Sequence, residues 1–156
     1  MKETRTLLIR LELIWLLITG LVAALLLAPI LYRIPDFQFL WPNLFFIVVM
    51  ITFTRYIFLL RYTFLAKWRV IKVALIFICL WLAFLLVQEI NAFQTFLDEN
   101  GPEAIVGGLD RASQGGMMSY IHSEMLLFGV GAVISCAVLP IRLIVSIWRR
   151  WNGYEN

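Results

Sequence analysis

The sequence predicts an all-α integral membrane protein with four transmembrane helices and both termini in the cytoplasm. Three observations carry that expectation: bulk composition, the lengths of the apolar runs, and the placement of the basic residues. The chain of 156 residues is 62% hydrophobic and 15% charged, and its mean hydropathy is +0.89. Soluble domains are typically about 45–50% apolar and about 25% charged. The excess calls for lipid as the solvent of the outer surface, and the length allows a single membrane domain.

A span needs about 20 mostly apolar residues to cross about 30 Å of hydrocarbon. Four runs meet that length, at about 13–32, 43–64, 70–90 and 121–140. They are continuously apolar rather than alternating, which selects helices over a barrel. The first run is too long for the apolar core of a secretory signal, and no small-x-small cleavage pattern follows it. Between the first two spans, "YRIPDFQFLWPN" carries two prolines and interface-type aromatics, with Pro42 placed to begin a helix. "AKWRVIK" reads as a tight basic turn between spans two and three, and the third span has a polar-edged extension towards Leu97. An outer loop is expected over about 98–120, with a short helix starting near Pro102 and flexible turns at its two Gly-Gly pairs. After Pro140, "IRLIVSIWRRW" reads as an interfacial basic helix over about 141–151, or as the end of the fourth span. On it Arg142, Ser146, Arg149 and Arg150 share one face, and Arg142, Arg149 and Arg150 are expected to meet anionic lipid headgroups.

Ten of the thirteen basic residues flank one side of the spans: Lys2, Arg5, Arg10, Arg61, Lys67, Arg69, Lys72, Arg142, Arg149 and Arg150. The other side holds Arg33 and Arg111 with the acids Asp36, Asp98, Glu99, Glu103, Asp110 and Glu124. The positive-inside rule makes the basic side cytoplasmic and the 98–124 segment external. The expected location is the cytoplasmic (inner) membrane of a bacterium. Basic residues placed beside apolar runs argue against a nucleic-acid partner.

The remaining basic residue, Arg55, lies inside the second run, about 9 Å deeper than Arg61 at 1.5 Å per residue. An intramembrane charge faces protein or water unless it can snorkel. Arg55 falls on a stripe with Thr52, Tyr56, Leu59, Tyr62 and Thr63. Glu89 sits too far towards the other side to pair with it, whereas Glu12 is within reach of two extended side chains. Arg55, Glu12, Tyr56 and Tyr62 are therefore expected to form a polar anchor between helices or subunits.

Three further groups stand out. Gly20, Ala24 and Ala28 recur every four residues in the first span, and Gly131 and Ser135 do so in the fourth. Such spacing lets backbones approach closely in lipid, so these two faces are expected to pack on each other. Glu89, His122 and Glu124 form a candidate proton or cation site at the outer rim. Cys79 and Cys136 sit in different apolar spans without Cys-x-x-Cys spacing and read as small buried hydrophobes.

No cofactor or metal is expected, because a structural metal needs about four ligands and the chain has one His. Nor is there a nucleophile with His and acid at catalytic spacing, or a phosphate-cradling glycine loop. The functional expectation is a non-enzymatic subunit or accessory protein of a larger membrane complex, with the lipid bilayer and either a membrane-protein partner or a homo-oligomer around it. The alternatives are a small oligomeric transporter or channel using Glu89, Arg55 and His122, and a membrane enzyme using His122 and Glu124.

Overall fold

The computed structural model describes residues 2–63 and 68–153. Its elements are α1 (Lys2–Arg33), α2 (Leu40–Leu59), a 3-10 turn (Leu60–Tyr62), α3 (Arg69–Asn100), the short α4 (Glu103–Val106) and α5 (Arg111–Trp151). Among the described residues there is no strand. Helices α1, α2, α3 and α5 are each long and apolar enough to cross a membrane. This is the architecture of a multi-pass membrane protein.

Local chemistry sets the helix ends. Pro35 disfavours the helical region for Ile34, and α1 stops at Arg33. Pro42 falls in the first turn of α2, where a missing N–H costs nothing. Helix α3 ends at Gly101, which takes φ 74° while its N–H reaches the Leu97 carbonyl at 2.9 Å. That left-handed closing conformation suits a residue without Cβ. Asp110 precedes α5 in an extended conformation, and its carbonyl accepts from the N–H groups of Ser113 and Gln114.

Two prolines lie inside helices, Pro29 in α1 and Pro140 in α5. Each removes one donor from its helix ladder. Next to the carbonyl that Pro29 deprives, the Leu26 carbonyl accepts 2.8 Å from the Tyr120 hydroxyl. A neighbouring helix thus supports the loosened turn.

The helices alternate in direction, so the chain ends of α1 and α5 lie at one end of the bundle. The contacts establish this: Glu12 of α1 meets Arg55 of α2, Arg33 meets Ser113, and Lys72 of α3 meets Ser146 of α5. Helix α5 is central, packing along both α2 and α3, while α1 leans mainly on α2. Helices α2 and α5 run parallel and in register. Asn43 meets Glu124, Thr54 meets Ser135, and a Cβ on Gly131 would touch Met50. The core of this seam is Phe46, Ile47, Ile121, Met125, Leu139 and Leu143, all shut from solvent. The outer faces carry Leu16, Leu17, Phe77, Trp81 and Trp148 in the open. Such a surface would aggregate in water and is ordinary in hydrocarbon.

Several expected boundaries differ. Residues 111–120, placed in the outer loop, are the first turns of α5, because Asp110 already supplies a helix start there. The non-helical connection shrinks to the two turns around α4. Gly107 and Gly108 do lie in a turn, whereas Gly115 and Gly116 are helical. Of the two readings of the basic segment 141–151, a separate helix is excluded and the end of the fourth span holds, since α5 runs unbroken through Pro140. Helix α2 stops at Leu59 and tightens into the 3-10 turn, where Thr63 donates back to the Leu60 carbonyl at 2.7 Å. Lys67, at the tip of the basic turn, lies outside the described residues.

Candidate functional site

Among the described residues, four of the side-chain links between helices begin with a polar residue that an apolar run could not leave unpartnered. Arg55 Nη1 donates to Glu12 Oε2 at 2.7 Å. The guanidinium also sits 5.4 Å from the ring centres of both Trp15 and Tyr56. Arg55 is 8% exposed and Glu12 22%. A flat cation against two ring faces gains on each. Beside it lies a cavity of about 230 Å³ lined by Leu11, Trp15, Arg55, Leu59, Tyr62 and Thr63. Tyr62 lines this space and is half exposed.

The second link is Lys72, 2% exposed, whose Nζ donates to Ser146 Oγ at 2.9 Å. The sequence puts Lys72 among the basic residues that flank the cytoplasmic side of the spans and Ser146 on the basic face of the last helix. Both instead turn inward, because α3 and α5 close on each other there. The third is the hydroxyl pair of Thr54 and Ser135 at 3.1 Å. The fourth, towards the far end of the α2–α5 seam, joins the Asn43 amide Nδ2 to Glu124 Oε2. Asn43 is fully buried and Glu124 is 5% exposed. Glu124 Oε1, Asn43 Oδ1 and Glu12 Oε1 are all enclosed without a hydrogen-bond partner.

The expected outer-rim group does not assemble. His122 and Glu124 are two residues apart on α5, hence about 200° apart around it. Glu124 points into the bundle, while His122 is exposed with its ring 6.3 Å from that of Phe93. Glu89 is exposed on α3. Among the described residues no cluster of three His, Cys, Asp or Glu could hold a metal ion. Cys79 and Cys136 are buried free thiols.

The small-residue faces are also arranged differently. Gly131 and Ser135 meet Met50 and Thr54 of α2, not α1. Gly20, Ala24 and Ala28 are turned away from the bundle, and a Cβ added to Gly20 would meet nothing within 4 Å. Helix α1 presents Thr19, Ala23, Leu27 and Ile30 to its neighbours instead.

Arg142 is exposed, and its Nε donates to the Ile57 carbonyl at 3.2 Å. It thereby satisfies one of the last carbonyls of α2, where a cation also complements the helix dipole. Arg149 and Arg150 are exposed on the last turn of α5. At the opposite end Arg33 Nη1 donates to Ser113 Oγ at 3.3 Å, and Ser113 donates to Asp110 Oδ2 at 3.0 Å.

Sequence reasoning missed Asn43 as an internal residue, although a signal existed. Asn43 and Thr54 are eleven residues apart on α2, and so are Glu124 and Ser135 on α5. Eleven residues make about three turns, so each pair lies on one helix face. Comparison with protein-family models, with curated proteins and with solved structures finds no match.

Proposed function

We propose that this chain is a non-enzymatic subunit or accessory protein of a larger complex in the inner membrane of a bacterium, with both termini in the cytoplasm. One observation carries the reading. The Gly20–Ala24–Ala28 stripe faces outward on a helix that leans mainly on one neighbour. In lipid, close approach to small residues is what draws a further helix in. The described polar links tie this chain's own helices together, so the stripe is left for another protein. The exposed Arg149 and Arg150 would meet anionic headgroups beside it.

Ala24→Leu tests this reading cleanly, because the side chain does not point into the chain's own bundle. The variant should fold and reach the membrane like wild type, yet lose its partner on mild-detergent extraction and native mass measurement. A wild-type chain that emerges alone, or an Ala24→Leu chain that keeps its partner, refutes the assignment of that face.

Orientation has its own test. With Cys79 and Cys136 replaced by alanine, single cysteines at Gly108 and Asn152 are offered an impermeant thiol reagent in intact cells. Labelling at 108 and protection at 152 is the expected pattern, and the reverse pattern inverts the topology.

A second reading, a small oligomeric transporter or channel, is favoured by the burial of Glu124 in the α2–α5 seam. It would centre on Glu124 rather than on Glu89 and His122. Recovery of a pure homo-oligomer would favour it.

A further inference from the structure

The Asn43–Glu124 link is chemically incomplete. The amide donates once to Glu124 Oε2. Glu124 Oε1 and Asn43 Oδ1 remain, each enclosed and each without a partner. Both are acceptors, so neither can satisfy the other. What the pair lacks is a donor.

Among the described residues none supplies one. On α5, Tyr120 lies about one turn before Glu124, and its hydroxyl is committed to the Leu26 carbonyl of α1. His122 is turned outward. From α2 the neighbours along the seam are Phe46 and Ile47, and α3 brings Ile90 and Phe93, with Glu89 exposed. Arg33 of α1 is held at Ser113, and Arg55 is held by Glu12. Among the described residues no cation pairs with Glu124. An ionised carboxylate without a cation is among the most costly groups to place in an apolar interior.

We propose that the Asn43–Glu124 pair is a proton-binding site. A single proton from solvent, bonded to Glu124 Oε1 and donated to Asn43 Oδ1, completes it. Acid and amide then form a closed ring in which each donates once and accepts once. Both orphaned oxygens are satisfied by that one proton, and no formal charge remains in the seam. The site locks α2 to α5 whether the chain serves as a subunit or as a transporter.

Infrared spectroscopy reads the proton directly. Purified wild-type protein at neutral pH should show the carbonyl stretch of a protonated carboxylic acid, shifted by deuterium oxide and absent from Glu124→Gln. Thermal unfolding supplies the second measurement. A Gln side chain offers N–H where the acid offers O–H and can form the same ring with Asn43. Glu124→Gln should therefore unfold at the wild-type temperature, and Glu124→Ala at a lower one. Two results overturn the proposal. One is the absence of any acid band that Glu124→Gln removes, as expected if a sodium ion sat between the two oxygens and left the carboxylate ionised. The other is a Glu124→Gln variant as unstable as Glu124→Ala.

Discussion

Replacing Arg55 by Leu should destabilise the protein by about 3 kcal/mol, the lower end of the range for breaking a buried ion pair. The lower end applies because Glu12 keeps 22% of its side-chain surface exposed. Most of the loss lies in what stays behind. Glu12 Oε2 loses its donor at 2.7 Å, and Glu12 Oε1 already has none. The double variant Glu12→Leu/Arg55→Leu should accordingly recover much of the stability that the single variant forfeits. Arg55→Lys keeps the charge but not the flat face lying 5.4 Å from Trp15 and Tyr56, and should fall in between. Equilibrium unfolding in mixed micelles measures all four proteins. A single Leu variant as stable as wild type would mean that the pair holds nothing together.

An effect of similar size is expected at Gly129. A Cβ there would stand 3.0 Å from Ile90 Cγ1, 3.1 Å from Ile90 Cδ1 and 3.3 Å from Phe46 Cδ2. Ile90 belongs to α3 and Phe46 to α2, so Gly129 is where the central helix meets both neighbours at once. Alanine requires the two side chains to give by a few tenths of an ångström. Leucine adds three more carbons and must wedge two seams apart, at a cost of about 3 kcal/mol or loss of the fold. Gly131 makes an instructive control. Its added Cβ would come nearer still, 2.7 Å from Met50 Sδ and 2.9 Å from its Cε, but these atoms form the outer part of a flexible side chain. Gly131→Ala should therefore cost less than the distance suggests, and Gly20→Leu almost nothing. Should Gly129→Leu unfold at the same denaturant concentration as Gly20→Leu, the three-helix junction is misplaced.

These two sites differ in how far the sequence disclosed them. Arg55 is conspicuous, because a charge within an apolar run must find a partner and depth leaves Glu12 as the acid within reach. Gly129 gives no such signal: a glycine in a span is as compatible with a lipid-facing surface as with a crowded one. The four apolar helices follow from run length, since hydrocarbon thickness is a fixed ruler. Helix rotation does not, because lipid is as apolar as leucine and no amphipathic face records which side is inner. Gly20, Ala24 and Ala28 show the consequence. Their spacing is real, but spacing alone does not tell an inward face from an outward one. Glu124 and His122 are neighbours in sequence, but the helical turn between them sends one in and the other out.

The parallel register of α2 and α5 also orders events in time. The chain is made from its N-terminal end at about 5–20 residues per second. Glu12 and Arg55 can meet as soon as the first helical hairpin forms. Asn43 and Glu124 are separated by 81 residues. Asn43 must therefore wait roughly 4–16 s at that rate before its carboxyl partner has even been synthesised. Throughout that interval a primary amide sits in the emerging second helix with neither of its polar ends matched by this partner. The ribosome thus delivers an incomplete helix to the membrane first and the residue that completes it last.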